Sequence, residues 1–205
     1  MDKAMVILCG GDSSRMGTDK ALLPFKDKTL VEYIIDKFSN HFNKVYLSVN
    51  KRGDYAALNL NAIEIPDMLR NAGPIGGILS ALSMVKEEKA FFMSIDTPFL
   101  DPLVAKYLFE NSKDYDVTSF DLVHELNDAV CAIYSKHCLS ALGKCIVTRN
   151  TSKENFYSKC STQLFDMSII EELSVVSKEQ QFFAIKDREA YYMSVFSVLK
   201  NNFTC

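Results

Sequence analysis

The chain has 205 residues, of which 48% are hydrophobic, and a formal net charge of −3. This composition suits a globular protein with a sizeable core and excludes disordered and fibrous classes. No Lys/Arg-rich run marks a general nucleic-acid binder, and no apolar stretch is long enough to span a bilayer.

The opening MDKAMVILCGG is too short in its apolar part for a secretory leader. The cysteines, Cys9, Cys131, Cys138, Cys145, Cys160 and Cys205, form no CxxC pair, and histidine is scarce (His41, His124, His137). Reduced thiols in a cytoplasmic protein are therefore expected, rather than a zinc site or a disulfide framework. The even spacing of Cys131, Cys138 and Cys145 is read as chance.

In chain order, AMVIL (4–8) is a continuous apolar run, as expected of a strand buried on both faces. A glycine-containing loop follows. TLVEYIIDKFSNHF (29–42) predicts a helix with Leu30, Ile34, Phe38 and Phe42 on one face and a Thr29/Glu32 capping box. KVYLSV (44–49) and AIEI (62–65, ending at Pro66) predict strands. GPIGGILSALSMV (73–85) reads as a turn feeding an amphipathic helix, and AFFMSI (90–95) as another buried strand. DPLVAKYLFE (101–110) starts a helix with Asp101 as N-cap and Pro102 in first position. Beyond about residue 115 the pattern blurs. AVCAIY (129–134) predicts a strand and DREAYYMSVFSVLKN (187–201) a closing helix, while residues 145–180 carry no pattern that assigns them.

Strands alternating with helices predict an α/β fold, a Rossmann-like three-layer α/β/α arrangement with a mainly parallel central sheet. Ligands of such sheets bind beyond the carboxyl ends of the strands. Gly10, Gly11, Ser13 and Arg15 stand beyond the first strand. Ser48 and Asn50 stand at the end of the second, Asp67 after the third and Asp96 after the fourth.

The loop chemistry suits a triphosphate. Gly10 and Gly11 let the backbone turn sharply and come close to a ligand. Successive amides there make an anion-binding concavity. Arg15 offers a planar fork and Lys20 a mobile point charge. The loop is not a P-loop, since GK[ST] is missing, nor GxGxxG, since its glycines fall at 10, 11 and 17. Asp96 is a hard oxygen ligand that suits Mg²⁺, which takes one or two protein carboxylates and fills its shell with phosphate and water.

These residues carry a resemblance. LCGGDSSRMGTDKALL resembles the hallmark loop of the MobA-like nucleotidyltransferases, L-A-G-G-x-S-x-R-M-G-x-D-K, with Cys9 in place of alanine. GPIGGI (73–78), with Gly73, Pro74 and Gly77, resembles the family's G-P-x-x-G-I segment, and SIDTPFL (94–100) its C-D-x-P-F/Y segment. The likeness covers roughly residues 4–110 and is nearest to the family's molybdenum cofactor guanylyltransferases. It implies a nucleotide-diphospho-sugar transferase-like fold in a single domain (1–205), with a nucleotide-binding half (1–110) and an acceptor-side half (111–205). It also implies Mg²⁺-dependent transfer of GMP from GTP to molybdopterin, release of pyrophosphate, and transient contact with molybdoenzyme maturation proteins. By the same resemblance Leu8, Cys9 and Gly10 contact the nucleotide and Lys20 its phosphates. Ser48 stands where a relative places an Asn near the base, with Asn50 as its neighbouring alternative. Asp67 contacts the nucleotide and Asp96 holds the magnesium.

The second half departs from the family pattern. LNDAVCAIY lacks a His-Pro pair, and FFAIKDREA stands where N-x-N-T-P-E is common, with Ala184 and Lys186 for the two asparagines. A cytidylyltransferase or another transferase of the same fold, and a non-catalytic nucleotide-binding protein, are the alternative readings.

Overall fold

The computed structural model describes residues 3–10, 16–69, 72–121 and 130–202. Strand β1 (Ala4–Leu8) is buried along its whole length. It lies between two parallel neighbours, β4 (Lys44–Val49) and β6 (Lys89–Ser94). A strand covered on both faces has no need of polar alternation, which is why its sequence is apolar throughout. Met5, Ile7 and Cys9 pack into the core on one face of the sheet. Ala4, Val6 and Leu8 pack into that on the other.

Between β1 and β4 lie a small hairpin, β2 (Pro24–Phe25) with β3 (Lys28–Thr29), and helix α1 (Leu30–Phe38). The capping box forms: the Thr29 amide donates to Glu32 Oε2 at 2.8 Å and the Glu32 amide to Thr29 Oγ1 at 3.4 Å. The helix is shorter than the apolar period predicts. Ser39 turns back on Asp36, its hydroxyl donating to the Asp36 carbonyl at 2.8 Å, and the chain leaves helical geometry. Phe42 still reaches the core, its ring stacked 5.6 Å from Phe91.

Strand β5 (Ile63–Pro66) forms one sheet edge, parallel to β4. Helix α2 (Gly73–Met84) begins directly at Gly73, without a separate turn. It is not amphipathic as expected. Ile75, Ile78, Ala81 and Leu82 are all buried because α2 lies between the sheet and a later helix. Helix α3 (Pro102–Glu110) follows β6, and the Asp101 carboxylate accepts from the Leu103 amide at 2.8 Å.

The second half extends the same sheet. Strand β7 (Val117–Phe120) is parallel to β6, while β8 (Cys131–Ser135) inserts between them antiparallel to both. Helices α4 (Leu139–Val147) and α5 (Lys153–Tyr157) lead to the edge strand β9 (Thr162–Phe165), parallel to β7. Helices α6 (Ser168–Leu173), α7 (Lys178–Gln181) and α8 (Arg188–Asn202) complete the chain. The seven-stranded order is β5-β4-β1-β6-β8-β7-β9, so the expected mainly parallel sheet is present, with one reversed strand. The described cysteines are free thiols, and no helix among the described residues is long and apolar enough to cross a membrane.

Replacing Thr29 with Ala removes the side-chain half of the α1 cap. This should lower stability by about 1 kcal/mol, within the usual range of roughly 0.5–2. A urea titration of both proteins reads this directly; an unshifted midpoint at equal slope would show that the box contributes nothing.

Candidate functional site

The peptide between Leu8 and Cys9 joins three strand exits. Its carbonyl accepts from the Ile95 amide, beyond β6, at 3.1 Å. Its N–H, on Cys9, donates to the Ser48 carbonyl of β4 at 2.9 Å, and the Gly10 amide donates to the same carbonyl at 3.0 Å. The Asp67 amide, beyond β5, donates to the Val49 carbonyl at 2.8 Å. Four strand exits therefore meet at one edge, where ligands of open α/β sheets bind. The Gly10 amide, expected to face an anion, is already committed to Ser48. The expected loop residues Gly11, Ser13 and Arg15 lie outside the described residues.

Asp67 is seated by the residues below it. Ser48 is fully buried and its hydroxyl donates to Asp67 Oδ1, so Ser48 lies beneath the site and spends its hydroxyl there. Burial raises the Asp67 pKa, and the Ser48 hydrogen bond opposes that shift. The other oxygen, Oδ2, faces Gly10: a Cβ at position 10 would sit 2.7 Å from it and 3.3 Å from Asn50 Oδ1. A side chain at position 10 would have to displace the Asp67 carboxylate. Gly77, one turn into α2, has a different part. A Cβ on it would stand 3.4 Å from both Leu8 Cδ2 and Ser48 Oγ, in ordinary contact. Gly77 is itself buried and packs its bare backbone against the floor made by Leu8, Ser48 and Asp67. Gly73, at φ +60°, and the exposed Pro74 form the start of α2 beside this floor. The Cys9 side chain faces away, into the core on the α1 side, where burial pushes its thiol pKa well up.

Lys20 and Asp96 form a second group. Asp19 caps a short 3-10 helix, accepting from the Ala21 amide at 2.9 Å and from the Tyr55 hydroxyl at 3.0 Å, and this fixes Lys20. Lys20 Nζ lies 3.7 Å from Asp96 Oδ2, with both side chains partly exposed. Asp96 stands at a turn, but the Thr97 hydroxyl closes that turn on the Ser94 carbonyl at 3.1 Å. Among the described residues the Asp96 carboxylate accepts no hydrogen bond from the turn, so its charge faces Lys20 and the site.

Two features escape the sequence pattern. The Ile185 amide donates to the Asp96 carbonyl at 2.8 Å, and Arg188 Nε donates to the Met16 carbonyl at 3.4 Å. The segment entering α8 thus reaches Asp96 and the end of the glycine loop from the far end of the chain. No motif signals a contact spanning such a separation. A cavity of about 530 Å³ between α2, β8 and α5 is separate. Of the candidate site residues it shares only Pro74; apolar walls from Ile75, Ile78, Val130 and Phe156 face a polar side with Lys153 and Glu154. Among the described residues no three His, Cys, Asp or Glu side chains gather as a metal cluster.

Residues 5–163 match the model of the MobA-like NTP transferase domain, well over half of the chain. The chain belongs to the MobA-like NTP transferase family. It is 30% identical over 168 residues to a probable molybdenum cofactor guanylyltransferase of Carboxydothermus hydrogenoformans, covering 82% of this chain and 83% of that one. A protein of the same name from Pelotomaculum thermopropionicum is 32% identical over 154 residues, 74% of this chain and 73% of the other. The fold of this MobA-like chain is also that of the crystal structure of molybdopterin-guanine dinucleotide biosynthesis protein A from Archaeoglobus fulgidus. There the TM-score is 0.81 at 18% identity, covering 96% of this chain and 99% of the other.

The raised Asp67 pKa has a consequence for stability. Its contribution favours the fold below the ordinary carboxylate range and is lost as pH rises through the raised value. At neutral pH the MobA-like fold therefore carries a half-buried charge that Asp67→Asn removes. The variant should melt higher than wild type at about pH 7, with the gap closing towards about pH 4. Calorimetry at the two pH values tests this, and a lower melting point for the variant at neutral pH would show that the carboxylate is net stabilising.

Proposed function

We propose that this protein transfers GMP from GTP to the phosphate of molybdopterin, giving molybdopterin guanine dinucleotide and pyrophosphate. The carrying observation is Asp67 Oδ2, which accepts no hydrogen bond among the described residues, in a chain whose matching relatives are named guanylyltransferases. A carboxylate is acceptor-only. Guanine presents N1–H and N2–H₂ side by side, two donors that suit it. Cytosine sets an acceptor nitrogen beside its amino group, so the same carboxylate would attract one group and repel the other. On this reading Leu8 and Gly77 border the base, with Asn50 beside Asp67 and Gly73 and Pro74 at the rim.

The triphosphate then runs along the loop towards Lys20, with Gly11, Ser13 and Arg15 as its further proposed contacts. An acceptor phosphate oxygen attacks the α-phosphorus. The bond from that phosphorus to the bridging oxygen breaks, and pyrophosphate leaves with the electron pair. No general base is required, because a phosphate monoester has a second pKa near about 6 and is largely dianionic at neutral pH. His41 and His137, at the opposite edge of the sheet, are not needed for it. The protein's part is to align two repelling anions and stabilise charge on the leaving group, which suits Lys20 and Arg15.

Asp96 is the proposed Mg²⁺ ligand. A single carboxylate, free of its own turn, fits a cation that draws most of its ligands from phosphate and water. When bound, Mg²⁺ would neutralise charge on the phosphates. We further propose that residues 1–110 hold the nucleotide and 111–205 the acceptor, within one domain and in the cytoplasm.

GTP with Mg²⁺ should raise the melting temperature more than CTP at equal concentration; the reverse order would transfer the assignment to a cytidylyltransferase. Lys20→Ala should fold and lose about 1.5–3 kcal/mol of triphosphate binding, roughly one to two orders of magnitude in affinity. Asp96→Asn should bind nearly as well but lose most of its turnover, read as pyrophosphate release with GTP and molybdopterin. Wild-type turnover in that variant would remove Asp96 from the chemistry.

A further inference from the structure

Arg188 has no part in the function above. Arg188 is the first residue of α8 and is exposed. Its Nε donates to the carbonyl of Met16, where the glycine loop ends, at 3.4 Å. Its Nη2 would be 3.4 Å from a Cβ on Gly17, which has φ +69° and carries no side chain. Gly17 is three residues before Lys20, and the Ile185 amide holds the backbone of Asp96. The guanidinium therefore stands at the end of the glycine loop, and the segment that carries it is hydrogen-bonded to the backbone of Asp96.

Three observations argue that this arginine does more than fasten a helix to a loop. First, fastening uses one donor of five, the Nε–H, and a guanidinium fork is built for two parallel bonds to a planar anion. Second, among the described residues Arg188 makes no ion pair, although Asp187 and Glu189 flank it in sequence. Third, the helix gains nothing from a cation here. Its first turn is the positive end of the helix, where acidic residues are favoured. The α8 helix is held by other means, since the Tyr191 hydroxyl donates to the Pro24 carbonyl at 2.6 Å and the Ala190 amide to Asp187 Oδ1 at 2.9 Å.

We propose that Arg188 contacts the β- and γ-phosphates of the bound nucleoside triphosphate, the pair that leaves as pyrophosphate. It is thus a catalytic residue supplied by the acceptor-side half to the nucleotide's leaving group. Nε keeps its bond to the Met16 carbonyl and orients the plane. The two Nη groups point past the bare Gly17 backbone to phosphate oxygens. A Cβ at position 17 would only touch Nη2 in ordinary contact; glycine is favoured there by its φ of +69°. This inference rests on the proposed use of a nucleoside triphosphate, but not on the identity of the acceptor.

Titration calorimetry with Mg²⁺ and three probes, GTP, GMP and inorganic pyrophosphate, separates this from a purely structural role. Arg188→Ala should weaken GTP and pyrophosphate about tenfold or more, while GMP changes less than about twofold. Arg188→Lys, which keeps the charge but not the fork, should fall between wild type and Ala. Arg188→Gln keeps a donor for the Met16 carbonyl without charge, and it should show the same phosphate-selective loss with an unchanged melting temperature. Equal losses for all three probes, or losses that follow a lowered melting temperature, would make Arg188 a staple and overturn the proposal. Unchanged GTP and pyrophosphate affinity in Arg188→Ala would overturn it as well. A wild type that binds neither GTP nor pyrophosphate defeats both this inference and the proposed function. A wild type that binds GTP but transfers nothing to molybdopterin defeats only the acceptor assignment.

Discussion

Everything at the candidate site depends on one peptide unit, between Leu8 and Cys9. Its oxygen is fixed by β6 and its N–H by β4, while the next amide returns to the same β4 carbonyl. A buried backbone group left without a partner costs about as much as a lost hydrogen bond or more. All three bonds lie where β1 leaves the sheet, so the chain must turn at that point. The turn brings Gly10 against Asp67 and sends the following loop over the strand ends. Shifting β1 by one residue would move Leu8 from the α2 face to the α1 face and take the floor of the site with it.

The site divides the work between two faces of the sheet. On the α2 face, Asp67 and Asn50 bring acceptor oxygens together beside Gly10, with Gly77 and Leu8 packed below. On the α1 face, Asp19, Tyr55 and Lys20 hold the loop's far end, and Asp96 stands opposite. On the proposed function, the first face would take the base and the second the phosphates and metal. Segregating acceptor and cation groups in this way limits how a charged nucleotide can lie, since reversing it would set phosphate oxygens against the Asp67 carboxylate.

Legibility in the sequence followed the physics of each element. β1, β4 and β6 are buried on both faces, so their apolar runs stand out, and Asp101-Pro102 marks the start of α3 directly. Lys20 and Asp96 were readable because each follows a strong strand signal within the reach of a motif. β7 and β9 were not, because each is only four residues long and β9 is half-exposed with no clean alternation. Nothing local announces that β8 runs backwards. The Ser48–Asp67 hydrogen bond links adjacent parallel strands whose register is set by the fold. The α2 helix misled for a related reason: its second buried side is covered by α4, which lies some sixty residues later.

The close approach of Asp67 to Gly10 also bears on how this sequence can drift over generations. While the carboxylate occupies its seat, position 10 is closed to every residue with a side chain, whatever its chemistry. If position 67 first became small, alanine at position 10 would cease to clash, and the original aspartate could not then return without a second reversal. The two positions therefore behave as a ratchet. The order of substitutions, rather than the merit of each one, decides which descendants are reachable. While Asp67 keeps its seat, any side chain at position 10, 57 residues away in sequence, must displace it.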